Sequence, residues 1–152
     1  MLLLVFRLAD DRFALDAARI VEVLPLVGIR KMLGAPAGIR GTFNYRGRFV
    51  PAVDLSERLL GRAAEPRLST RVVLANLAGE GDPTLLGLIV ENATGTLRVD
   101  PADMIPPAVQ SRDRPWLGAT ILEAEGPIQL IELGKLLTDD VRRSLGAPAE
   151  VA

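Results

Sequence analysis

The 152-residue chain contains no histidine and no cysteine. Those two absences exclude Ser-His-Asp and Cys-His catalysis and every zinc or iron site built on imidazole or thiolate. They also leave no disulfide framework, so thiols do not define a redox compartment, and a thiol-free chain is compatible with the cytoplasm. Aromatic residues make up only 4% of a chain that is 49% hydrophobic, so Val, Leu, Ile and Ala have to build the core. A net charge of −1 gives no broad cationic footprint for nucleic acid or an anionic membrane. Lysine is scarce as well: of 18 cations, only Lys31 and Lys135 are not arginine. Phosphate-cradling glycine loops of the P-loop and dinucleotide types are missing.

What is present is a succession of short apolar runs. MLLLVF meets Arg7 after six residues, lacks a basic leader and is too short to span a bilayer, so it reads as a buried first strand. Ala9-Asp10-Asp11 is a turn signal, and the strand resumes at 12–15. Asp16 is placed to cap one helical turn before a strand at Ile20–Leu24, which Pro25 stops. Residues 33–38 read as loop. Strands at 39–45 and 48–54 follow, joined at Arg46-Gly47, where glycine supplies the φ that a tight hairpin needs. Pro51 lacks an N–H donor and places its strand at an edge, a bulge or a barrel corner.

Asp54 opens a helix over Leu55–Leu60, with Glu57 three residues on and Gly61 as the stop. Residues 62–70 read as a polar linker. Further strands are expected at 72–75, 85–90 and 96–99, then a hairpin of 117–122 with 128–133 around Glu125-Gly126-Pro127. The run at 85–90 is apolar on both faces, which suits a strand inside a small barrel or between layers. Gly79–Pro83 reads as a turn, 108–115 as a mobile loop, Leu136–Leu145 as a terminal helix and the last residues as a frayed tail. The class is therefore all-β, a barrel or sandwich with little helix, and no repeat of fixed period is visible.

Few groups qualify for chemistry. Asp100 and Asp103 flank Pro101 in a turn and read as caps rather than an acid–base pair. Glu80-Gly-Asp82 lacks the alternating ligands of a calcium loop. Glu91 and Asn92 follow an apolar strand and could face a pocket, and Trp116 reads as a core or loop anchor. Arg46 and Arg48 stand either as a solvated turn or as a charge pair offered to a partner, with Glu22 on another strand as a possible counter-ion. Spacing alone leaves that open.

The segment R46-G-R-F-V-P51-A-V-D54-L55 resembles the hallmark of the CheW family, the coupling proteins of bacterial chemosensory arrays. The resemblance runs from residue 2 to about 140. It takes in F13-A-L-D16, I20-V-E22-V, A35-P-A-G38-I-R-G41, T70-R-V-V, G87-L-I-V-E91, I105-P-P107, L117-G118 and L130-I-E-L133 in the family's order. It implies two small SH3-like five-stranded barrels packed together as a single domain over 1–140, with 141–152 as a helix end and tail. It also implies a non-enzymatic scaffold, without cofactor or metal, that bridges chemoreceptor cytoplasmic tips to the regulatory domain of a CheA-type histidine kinase. Such a protein is cytoplasmic and recruited to membrane receptor arrays, with no direct membrane insertion and no nucleic-acid partner. Carried over residue by residue, the receptor-binding groove holds Glu22 and Arg46, with Gly41 and Gly47 shaping it and Arg48 adding charge beside the turn. Tyr45, Glu91 and Glu132 depart from the residues usual there. A receptor-only coupler of a specialised pathway, such as surface sensing, and a small ligand- or oligonucleotide-binding barrel are the alternatives. Asp54 is the structural cap, and as a cap alone its replacement by alanine is expected to cost about 1 kcal/mol.

Overall fold

The computed structural model describes residues 1–26, 28–31, 33–34, 39–78, 83–109 and 112–136. Ten strands dominate: β1 (Leu2–Leu8), β2 (Asp11–Asp16), β3 (Ile20–Pro25), β4 (Ile39–Tyr45), β5 (Arg48–Asp54), β6 (Arg71–Asn76), β7 (Leu85–Val90), β8 (Ala93–Arg98), β9 (Leu117–Glu123) and β10 (Gly126–Ile131). The single α-helix among the described residues, α1, runs over Leu55–Leu60. Short 3-10 turns at Ala17–Arg19 and Pro101–Asp103 are capped by Asp16 and Asp100, whose carboxylates accept from the N–H groups of Ala18 and Ala102. Asp100 is thus a cap, and Asp103 lies inside the turn that it caps.

The strands form two five-stranded sheets, ordered β8-β1-β2-β10-β9 and β3-β6-β7-β5-β4. Isolated bridges close them: Arg30 pairs with Thr42 of β4, and Ile105 pairs with Thr120 of β9. The two sheets share one wiring diagram. Numbered along the chain from β3, the second sheet reads first, fourth, fifth, third, second. The first sheet gives the same order when its strands are taken cyclically as β8, β9, β10, β1, β2. Pairing directions agree too, with one parallel contact in each sheet, β5 with β7 and β10 with β2. One barrel is therefore a circular permutation of the other, and β3–β7 are inserted between β2 and β8.

Three apolar clusters fill the molecule. Leu3, Val5, Ala14, Ile121 and Ile128 fill the first barrel. Phe43, Val50, Ala52, Val72, Leu74 and Ile89 fill the second. The largest lies between them and takes Leu4, Phe6, Leu15 and Trp116 from one side and Val53, Leu55, Val73, Leu88 and Val90 from the other. The doubly apolar run at 85–90 now has its reason: alternate residues of β7 enter the barrel interior and the inter-barrel core.

Pro51 does not put β5 at an edge, because β5 lies between β4 and β7. The β7 ladder begins one residue later, at Ala52 opposite Gly87, so Pro51 pairs only with Thr42 of β4. The final hairpin turns one residue earlier than expected, with Gly126 (φ 118°) already in β10. The expected terminal helix, the tail, the turn at 79–82 and the 35–38 part of the family motif lie outside the described residues, apart from Leu136 at the helix's first position.

The 62–70 segment is not a free linker, because two carboxylates tie it down. Asp54, 1% exposed, caps α1 through the N–H groups of Ser56 (3.0 Å) and Glu57 (3.3 Å). Its other oxygen accepts from Ala64 N–H at 2.8 Å and from the Arg40 guanidinium. Gly61, at φ 75°, ends the helix so that the chain can turn back onto Asp54. Glu91, also buried, accepts from Ser56 Oγ (2.6 Å), Glu65 N–H (3.2 Å) and Arg62 (3.4 Å).

Asp54 therefore holds a helix, an arginine and a strap together, and the cap alone underestimates it. Asp54→Ala should lower stability by about 3 kcal/mol, from several charge-assisted bonds lost at a buried site. Urea unfolding midpoints test this, and a loss of only about 1 kcal/mol would confine Asp54 to capping. For Glu91, burial pushes the carboxyl upward, but the bonds from Ser56, Glu65 N–H and Arg62 outweigh it and hold it below its ordinary 4.5. A depressed folded-state value stabilises above the unfolded-state value and loses that contribution as pH falls through the folded one. The stability gap between wild type and Glu91→Gln should thus narrow as pH falls below the ordinary 4.5. A gap independent of pH would overturn the assignment.

Candidate functional site

The site is built on the β4–β5 hairpin. Its two central residues, Arg46 (φ 49°) and Gly47 (φ 85°), both adopt left-handed backbone, the combination that matches the twist of a two-residue hairpin. Asn44 Oδ1 accepts from Gly47 N–H at 2.9 Å and braces the turn. Glycine bears this conformation freely, whereas an arginine is strained there by about 1 kcal/mol. Asn-Gly is the favoured pair for such a turn, so Arg46 is not the residue that turn geometry would select.

The Arg46 side chain is 77% exposed. Its guanidinium carbon lies 5.2 Å from the centre of the Tyr45 ring, and Nη2 lies 3.8 Å from Glu22 Oε2. The Tyr45 hydroxyl donates to that same oxygen at 2.7 Å. Loss of this bond on ionisation, with a smaller contribution from burial, raises the Tyr45 phenol above its ordinary 10.0, and the neighbouring Arg46 charge acts the other way. Glu22, on the far side of the chain's first loop in β3, is thereby brought to the hairpin turn. Val21 and Val23 beside it in β3 are 51% and 43% exposed.

The other expected residues have different roles. Arg48 faces Tyr45 across the ladder, but its guanidinium donates to Pro83 O at 3.4 Å and does not join the Glu22 pair. A Cβ on Gly41 would stand 2.2 Å from the Arg30 carbonyl oxygen, so this glycine permits the Arg30–Thr42 closure of the barrel. Gly47 faces open space and is needed for its φ alone. Glu91 faces the strap, not a pocket. Asn92 (φ 48°) accepts from Ser69 Oγ at 3.3 Å and donates to Arg7 O at 3.3 Å, joining the barrels. Trp116 is the anchor expected: 1% exposed, with Arg58 of α1 stacked 5.5 Å from its ring centre and donating onward to Leu136 O at 3.1 Å.

Two features escaped the sequence. Tyr45 was visible only as an unusual residue, and an aromatic hydroxyl at a strand end opposite a lone acid was the available signal. Phe49, on β5 beside the turn, is exposed to 72% and carried no signal beyond its composition. The arrangement suits recognition more than bond-making. A hollow of about 190 Å³ is lined by aliphatic side chains with Lys31 and Arg40, and Arg40 is already engaged by Asp54. Among the described residues no group of three or more acidic side chains could hold a metal ion, and no helix is long and apolar enough to cross a membrane.

Comparison with known proteins agrees with this architecture. The family model described as CheW-like domain matches residues 2–141. The chain is 29% identical to a chemotaxis protein CheW of Rhizobium meliloti (strain 1021), over 93% of this chain and 90% of that protein. It is 26% identical to a probable chemotaxis protein CheW of Rhizobium etli, over 90% and 87%. The crystal structure of the scaffolding protein TtCheW from Thermoanaerobacter tengcongensis superposes with a TM-score of 0.79 at 26% identity, over 92% of this chain and 89% of that one. The two-barrel architecture is thus the shared frame, and the chain belongs to the CheW-like domain family.

Proposed function

We propose that this chemotaxis coupling scaffold joins the cytoplasmic tips of chemoreceptors to a CheA-type histidine kinase, acts without catalysis of its own, and is held at the membrane through the receptors it binds. The observation that carries the receptor half is the strained Arg46. A fully exposed turn that served solubility alone would gain about 1 kcal/mol from asparagine at that position. Retaining arginine there, beside a carboxylate from another strand, fits a contact made with a partner. Exposed Val21 and Val23 add apolar area along the same strand as Glu22, and Phe49 adds more beside the turn. Docking of this type combines a few charge-assisted bonds with modest apolar burial and draws its strength from repetition in an assembly.

The receptor-only reading differs in one respect, the kinase arm, and is resolved by the same assay. An oligonucleotide-binding barrel has less support, because the chain offers neither a basic groove nor a row of stacking aromatics.

Two substitutions separate docking from turn stability. Arg46→Glu should leave circular dichroism unchanged and abolish co-sedimentation with receptor signalling fragments displayed on vesicles. Arg46→Asn should raise the unfolding free energy by up to about 1 kcal/mol while weakening the same association. Co-sedimentation unaffected by Arg46→Glu would overturn the assignment. Repeating the assay with and without the kinase reports whether the scaffold bridges both partners or binds receptor alone.

A further inference from the structure

The turn presents more than two opposite charges. Glu22 has two carboxylate oxygens, and Tyr45 takes one of them at 2.7 Å, which leaves Oε1 without a hydrogen bond among the described residues. The same Tyr45 ring lies under the Arg46 guanidinium, so one side chain touches both members of the pair. Tyr45 is the last residue of β4, and its backbone is fixed by the ladder with Arg48. Glu22 belongs to β3, which reaches β4 only through the closing bridge after it. Without the phenol, a 3.8 Å exposed ion pair would be all that joined the two charges, and exposed pairs of that kind contribute little and wander.

We propose that Tyr45 is a specificity-setting positioning residue of this surface. By holding one oxygen of Glu22 and the face of Arg46, it presents a fixed acceptor beside a fixed cation. Such a pair selects a protein surface that carries a cation adjacent to a carboxylate and rejects one carrying either charge alone, because the unmatched member would lose water without gaining a partner. This rests on the reading of the turn as the receptor-docking contact.

Tyr45 is the only tyrosine in the chain, so its ionisation can be followed by ultraviolet difference absorbance without interference from another phenol. The groups that face it are Glu22 from β3, Arg46 in the turn and Arg48 across the ladder. The tyrosinate midpoint should lie above the ordinary value in the wild type, fall in Glu22→Ala, and rise further in Arg46→Gln. The single tryptophan, Trp116 in the inter-barrel core, reports by fluorescence that the protein stays folded through the titration.

Binding to the purified cytoplasmic hairpin of a chemoreceptor from the same organism is then measured for Tyr45→Phe, which keeps the ring and removes the hydroxyl. Affinity should fall about five- to tenfold, and the same substitution should have no further effect in a Glu22→Ala background, which lacks the acceptor. A midpoint that ignores Glu22→Ala overturns the proposal whatever the receptor does. A coupled midpoint with full-strength binding by Tyr45→Phe, while Arg46→Glu abolishes binding, overturns the proposal and leaves the docking surface standing. If neither Tyr45→Phe nor Arg46→Glu alters binding, the docking surface itself is misassigned and the positioning role falls with it.

Discussion

The structure depends on strands that are apolar on both faces. A five-stranded barrel of this size encloses only a handful of side chains, Leu3, Val5, Ala14, Ile121 and Ile128 in one case, which leaves a single barrel marginal by itself. The deficit is met by β1, β6 and β7, whose alternate residues leave the barrel interior and meet the other barrel. Leu4, Phe6, Val73, Leu88 and Val90 make the inter-barrel core larger than either interior. The barrels are thus packed through a shared core, and the hairpin bearing Arg46 projects from a body that both barrels stabilise.

Most of this body was legible from residue patterns. Apolar alternation, Gly-based turns and Asp caps gave the strands to within two residues, except β8, which begins three residues before the expected 96, and Asp16, Asp54 and Asp100 all cap the turns that follow them. The internal repeat was invisible for a geometrical reason. Because one barrel is permuted, β8 follows β3 along the chain while β1, the counterpart of β6, precedes it, so no constant offset exists to be seen. The strap after α1 was misread as a linker for another reason. Its residues are polar, and what holds them is a pair of buried carboxylates, Asp54 and Glu91, that lie far from it in sequence or on another element.

The site was legible in part. The family resemblance joined Glu22 of β3 to Arg46 of the β4–β5 turn, which spacing alone could not connect. Glycine at 47 announced a tight turn, but not that its partner residue would be a strained arginine. Tyr45 stayed hidden because its importance depends on which acid stands across from its hydroxyl, and that is a property of barrel closure. Arg46 and Arg48 look equivalent around one glycine, yet one sits in the turn and the other opens β5, and they reach different neighbours.

The insertion of β3–β7 between β2 and β8 also orders events in time. Ala14 of β2 pairs with Leu130 of β10, and Leu3 of β1 pairs with Leu97 of β8, so the first barrel is completed by residues synthesised after the inserted one. The inserted barrel draws all its strands from one continuous stretch and can close while the remainder is still being made. During that interval the β1–β2 hairpin has no partner strand and exposes Leu4, Phe6 and Leu15. The surface of the inner barrel is the nearest shelter for them, which makes the early barrel a template on which β1–β2 and β8–β10 are brought together.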